Sequence, residues 1–171
     1  QMARQFGAER LLDQGVRLMD ASSCYVGPQV QVGSGTVLLP GTILRGETFI
    51  GKGCEIGPYS MIRDCVIGDK VTVNQSQLNE STVETEAKIG PFAYIRPDCH
   101  VGAGVKVGDF VELKNSIIGA GTKISHLTYV GDSDVGQKVN FGCGTVTVNY
   151  DGSTKFRTTI GDNAFIGCNT N

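Results

Sequence analysis

The stretch KISHLTYVGD, Lys123–Asp132, carries one of only two histidines in 171 residues. An imidazole ionises near neutral pH, which makes His126 a candidate general base. Its value depends on its company. Asp109 stands seventeen residues before it and Cys143 seventeen after it. In a chain that repeats at about that spacing, the three share one column, with a carboxylate on one side of the ring and a thiol on the other. The carboxylate would hold the ring's tautomer and support its charged form. The thiol admits a second chemistry, a cysteine nucleophile. Spacing places backbones and not side-chain aim, so both readings stand. A second pair points to an anion. Arg96 and Lys114 are eighteen residues apart. Cations stacked in paired β-structure repel, and a phosphate between them would relieve that, with arginine able to grip it bidentately. A solvated surface pair is the plainer alternative. Gly131 follows in that column and leaves room above. Tyr94, Glu112 and Tyr129 form a further column at the adjoining corner. His100 has no comparable company and reads as a surface histidine. Two histidines cannot supply a three-histidine metal site within one chain, though a symmetric oligomer could share them. No metal is expected.

Such columns need a chain that climbs in equal coils, and this one beats in sixes. Steps of six from Val26 land on Val32, Leu38, Leu44, Ile50, Ile56 and Ile62. Steps from Val83 land on Ile89, Ile95, Val101, Val107 and Leu113. Glycine often follows the aliphatic, as at Gly33, Gly57 and Gly108, and a small residue comes four positions after it, as at Thr42, Cys54 and Ala93. A period of six suits neither an amphipathic helix nor a simple alternating strand. It suits a β-solenoid with short sides and tight corners, its aliphatics pointing inward. About eight coils fit between Val26 and the end, each adding ~4.8 Å. The beat drops a residue between Ile62 and Ile67, Leu113 and Ile118, and Val130 and Val135. One larger break, VNYDGSTKFRTT after Thr147, reads as a loop thrown out from the coil. Long loops on rigid scaffolds commonly carry function.

Bulk composition sets limits. A net charge of -2 and a pI of about 5.7 give no support for a nucleic-acid or membrane partner spread over the surface. No apolar run approaches the ~20 residues of a membrane span, and no signal peptide is evident. Cys24, Cys54, Cys65 and Cys99 fall where the repeat wants small buried side chains, where free cysteine behaves as a small hydrophobe. A reducing, cytoplasmic protein without disulfides is expected. Residues 1–21 read as a linker helix with Leu11, Leu12, Val16 and Leu18 as its apolar stripe. A chain that opens on Gln1 and stops mid-hexad at CNTN reads as truncated at both ends.

The hexads resemble those of the hexapeptide-repeat proteins. That resemblance implies an all-β fold, a left-handed parallel β-helix over residues 22–171 with a short N-terminal helix. The left hand comes from the resemblance alone, because the general crossover rule gives the opposite. The segments IGPFAYIRP, GDFVELKN, ISHLTYVGD, VNFGCGTVTVNYDGSTKFRTTIGD and FIGCNTN are more specific. They resemble the acetyltransferase domain of the bifunctional bacterial N-acetylglucosamine-1-phosphate uridyltransferase / glucosamine-1-phosphate N-acetyltransferase family. The likeness runs over nearly the whole chain.

What this implies is acetyl transfer from acetyl-CoA to the amine of glucosamine-1-phosphate, toward UDP-GlcNAc and cell-wall precursors. His126 would be the base and Glu112 would lie near the chemistry. Arg96 and Lys114 would hold the sugar phosphate, Tyr129 and Asn140 the sugar, and Lys155 would complete the acceptor pocket. Asn149, Tyr150, Cys143 and Cys168 match positions that line acetyl-CoA, although small residues such as alanine or serine are expected where the two cysteines stand. A backbone N–H near Gly142–Gly144, or Asn149, would face the thioester oxygen as it gains charge. The resemblance also implies a homotrimer with sites between subunits. The uridyl-transfer half, with its glycine-rich nucleotide loop and magnesium, is expected to lie outside this sequence. The alternatives are a trimeric scaffold that binds without turnover and a hexapeptide acyltransferase with another sugar acceptor.

Overall fold

The computed structural model describes residues 10–171. Within them, strands of two to four residues wind into three parallel sheets, the three sides of a solenoid. The first side carries nine strands beginning at Arg17–Leu18, the second seven beginning at Tyr25–Val26, and the third eight beginning at Gln31–Val32. Each strand pairs with its counterpart in the next coil. Ile95 pairs with Leu113, Leu113 with Val130, and Ile124 with Phe141. The parallel β-helix expected from the hexads is therefore the fold observed.

The six-residue beat works because each side buries one aliphatic and each corner buries one small residue. Leu38, Ile56, Ile95, Val107, Leu113 and Ile124 are fully buried in one continuous core. Each contributes roughly 1.5–3 kcal/mol relative to exposure. The small residues do polar work that an apolar side chain could not. The Thr36 hydroxyl donates to the Gly51 carbonyl at 2.8 Å and accepts from the Cys54 N–H at 3.0 Å. Buried corner backbone is thereby satisfied across coils. Among the glycines, Gly108 shows a strict requirement. A Cβ there would run into the Ser125 carbonyl of the next coil.

The leading segment departs from the expected helix through residue 21. Residues 10–13 are helical, Gly15 turns the chain at φ +77°, and Arg17–Leu18 already pairs with Val37–Leu38 as a strand. Leu11 and Val16 are buried in the solenoid's core, while Leu12 is exposed. The apolar spacing that suggests a longer helix thus serves the first coil instead. Residues 1–9 of that expectation lie outside the described residues. No helix among the described residues is long and apolar enough to cross a membrane. All six thiols are free, and the four expected in the core are buried there.

The break after Thr147 is a small hairpin. Tyr150 and Lys155 form an antiparallel bridge, and the Phe156 N–H donates to the Asn149 carbonyl at 2.8 Å. Arg157 pins its return. Its guanidinium holds the Asp134 carboxylate at 2.6 and 2.7 Å and donates to the carbonyls of Asn115 and Ser133. Thr158–Ile160 then rejoins the third side, paired with Ser133–Val135.

Candidate active site

The first side ends at the corner where the imidazole stands. Asp109 and His126 are paired in adjacent coils, and their side chains meet, with Nδ1 of the ring 2.9 Å from Oδ1 of the carboxylate. That contact places the neutral ring's proton on Nδ1 and leaves the Nε2 lone pair available. The His126 side chain is 60% exposed, so incoming ligand can reach it. The hydrogen bond from His126 holds the Asp109 carboxyl below its usual range. Cys143 comes next in the column, because Ile124 pairs with Phe141, and Cys168 follows because Phe141 pairs with Ile166. The imidazole's hydrogen bond goes to the carboxylate and not to the thiol.

The second side carries the column of Tyr94, Glu112 and Tyr129 in register. Arg96 Nη1 donates to Glu112 Oε1 at 2.8 Å, a bond that pushes the guanidinium further up. Lys114 pairs with Gly131. The space above Gly131 is taken by the hydroxyl end of the Tyr129 ring, which corrects the expectation of room there.

Beyond Lys114 lies a residue that spacing does not single out. Asp132 is only 8% exposed and holds a corner at φ +48°. Its carboxylate accepts from Lys114 Nζ at 3.0 Å, Asn115 Nδ2 at 2.6 Å and Asn149 Nδ2 at 2.6 Å. Burial pushes this carboxyl up, but the bonds from Asn115, Lys114 and Asn149 outweigh burial and leave it below its usual range. Asn149 also donates to the Gly131 carbonyl at 3.3 Å. The signal available in the sequence was modest: Asn115 and Asp132 are seventeen apart, in step with the dropped residue.

The hairpin delivers Lys155 to the same place. Its amine adjoins Lys114, which holds Lys155 down, with the charge of Arg96 adding to the depression. Arg96, Lys114 and Lys155 thus form one cationic cluster on and above the second side. Asn149 lies inside this cluster's support and Tyr150 stands exposed, its hydroxyl donating to the Gly152 carbonyl at 2.7 Å. Asn140 is not brought to them within one chain. It sits on the first side, exposed and paired with Lys123. His100 is not companionless either: Nε2 lies 2.7 Å from Glu84 Oε1, on the third side and away from this cluster.

The sequence pattern of the GMPPB C-terminal domain family matches residues 78–170, more than half of the chain. The chain belongs to this family. It is 53% identical over 163 residues to the bifunctional protein GlmU of Clostridium novyi, a match covering 95% of this chain and 36% of that protein. It is 50% identical over 164 residues to GlmU of Carboxydothermus hydrogenoformans, covering 96% and 37% respectively. The resemblance read from the motifs holds, and the chain spans little more than a third of the length of these relatives. Among solved structures, LpxA, a UDP-N-acetylglucosamine acyltransferase from Bacteroides fragilis, aligns with a TM-score of 0.48 at 17% identity. That alignment covers 77% of this chain and 68% of the other.

Proposed function

We propose that this chain transfers acetyl from acetyl-CoA to the amine of glucosamine-1-phosphate. The observation that carries the reading is the carboxylate-held imidazole of Asp109–His126 at the corner that leads into the second side, where Arg96 and Lys114 stand with Lys155 beside them. The likeness to GlmU proteins supports the choice of amino sugar and acetyl donor.

The cations hold the sugar phosphate, with Arg96 oriented by Glu112 and Lys114 by Asp132. An ammonium has no lone pair with which to attack, so the bound amine first gives one proton to solvent. As its nitrogen bonds to the thioester carbonyl carbon, His126 accepts a second proton from that nitrogen at Nε2, while Asp109 bears the developing imidazolium charge through Nδ1. The C–S bond then breaks, and the imidazolium gives its proton to the departing sulfur. Tyr129 and Asn140 contact the sugar, and Asn149, Tyr150, Cys143 and Cys168 line the acetyl-CoA side. Because Asn140 stands on a different side from the cations, the reading includes a homotrimer whose neighbouring subunits complete each site. Buried free thiols suit a reducing compartment, and we place the protein in the cytoplasm.

The test follows acetylated sugar phosphate by mass, with this chain, acetyl-CoA and glucosamine-1-phosphate, and with His126→Ala alongside. Product from the parent and a loss of about 10²–10⁴-fold in the variant are expected of a general base. Product with another amino sugar only would move the acceptor. Equal rates from parent and variant would sink the role of His126.

A further inference from the structure

We infer that Cys143 and Cys168 form a dithiol site at the corner below His126, open to reversible modification by low-molecular-weight disulfides. The pairing of Phe141 with Ile166 puts the two cysteines at equal positions in successive coils. The Asn169 N–H donates to the Cys143 carbonyl at 2.8 Å, and a Cβ at the neighbouring Gly142 would lie 2.6 Å from the Cys168 nitrogen. Adjacent parallel strands run ~4.8 Å apart, inside the Cα separation of roughly 4.4–6.8 Å that a disulfide spans.

Side chains in this column demonstrably reach one another. Asp109 and His126 hold the same corner position in the two preceding coils, and their side chains meet at 2.9 Å. Corner position, two residues past the inward aliphatic as at Asp109 and His126, separates this pair from the other thiols. Cys143 is partly exposed and Cys168 exposed, whereas Cys24, Cys54, Cys65 and Cys99 are buried. Burial pushes each of those four up, Cys65 to about 11, which leaves them almost wholly protonated and inert near neutral pH.

The reaction balances as two exchanges. One cysteine, as thiolate, attacks a sulfur of a small disulfide such as oxidised glutathione. A mixed disulfide forms and one small thiolate leaves. The second cysteine attacks the protein sulfur of that mixed disulfide, the Cys143–Cys168 bond forms, and the second small thiolate leaves. The two protein protons pass to the two leaving thiolates. The protein pair is oxidised by two electrons and the small disulfide is reduced to two thiols. Excess small thiol reverses both steps. An effect on acetyl transfer rests on the proposed function; the thiol chemistry does not.

The folded chain is incubated with oxidised glutathione, its free thiols are alkylated, and its peptides are mass-mapped without reduction. A linked Cys143–Cys168 peptide pair is expected, two hydrogens lighter than the reduced pair, with the four buried cysteines alkylated only after denaturation. Cys143→Ser is expected to stop at a mixed disulfide on Cys168, and Cys168→Ser at one on Cys143. Separate glutathione adducts on both cysteines of the parent without a link, or a link to a buried cysteine, would overturn the inference. In an acetyl-transfer assay, each protein is compared with itself before and after the disulfide. The linked parent is expected to lose at least tenfold in rate and regain it with excess thiol, while the double serine variant, whatever its own rate, does not respond. A linked parent that keeps its rate would separate the thiol site from the acetyl-CoA wall. A parent inactive before oxidation would fault the proposed function, and the presence or absence of the mass-mapped link would still decide the dithiol.

Discussion

At the scale of single residues, the two histidines show how the same contact can serve different ends. His100 spends Nε2 on Glu84, whose other oxygen accepts the Ala103 N–H at 2.9 Å, so its carboxylate is tied into a corner. His126 spends Nδ1 on Asp109 and leaves its outer nitrogen open. Asp109→Asn should therefore lower kcat, by as much as about 10⁴-fold, the cost of replacing the carboxylate that holds a general-base imidazole in its tautomer. KM for the sugar phosphate should hold, because Asp109 touches none of the cations. A steady-state series by mass decides it, and an unchanged kcat would leave Asp109 as a mere surface pair. Lys155 gives a second, pH-based expectation. Its amine is held down by Lys114 in the free protein, and a bound phosphate dianion would raise it again. Sugar-phosphate binding should then take up protons, and affinity should weaken as pH rises through the free-state value of Lys155. Calorimetry in two buffers of different ionisation enthalpy reads that uptake, which Lys155→Gln should abolish.

At the scale of elements, the corner after the second side links the hairpin to the coil through one carboxylate. Asp132 joins Lys114 and Asn115 from the coil to Asn149 at the foot of the hairpin. Asp132→Ala strands three donors, and about 1–3 kcal/mol of stability should go with them. Its folded carboxyl is depressed, so its stabilisation is present above the unfolded value of ~3.9 and is lost as pH falls through the folded one. Asp132→Asn should accordingly flatten part of the acid limb of a melting-temperature profile, and an unaltered limb would assign that limb to other carboxylates. Gly108→Ala tests the neighbouring column. The added methyl meets the Ser125 carbonyl one residue from the Asp109–His126 bond, so both melting temperature and acetyl transfer should fall together. These elements also show what could be read from spacing. The hexads and their dropped residues were enough to align Tyr94, Glu112 and Tyr129, and to stack Arg96 on Lys114, because coil register follows from buried aliphatics alone. Asp132 is not legible in the spacing because its partners come from one neighbouring coil and from the foot of the hairpin. The first strand at Arg17 is not legible either, because an apolar spacing near a helix's is also met by a chain entering its first coil.

At the scale of the whole molecule, the corner between the first and second sides is unlike the others. Tyr59, Phe92, Phe110 and Leu127 lie along it, with Gln75 between the first two, and each of the four is at least half exposed and at positive φ. Phe92 and Phe110 stack with ring centroids 5.6 Å apart, nearly parallel. Aromatic groups held in a left-handed backbone and turned toward water carry a cost that burial in an assembly would offset. The ridge runs directly beside His126, so a subunit packed there would wall the imidazole. Light scattering should give a mass of three 18.1 kDa chains. Phe110→Asp should shift that mass toward one chain and remove acetyl transfer with it, because a charge in that seam opposes packing. Far-ultraviolet circular dichroism that stays unchanged would show the solenoid itself intact. A parent that scatters as a single chain while turning over sugar phosphate would place the whole site within one solenoid. A dissociated Phe110→Asp that keeps its rate would do the same. Mass and rate falling together would assign the ridge to the assembly that builds the site.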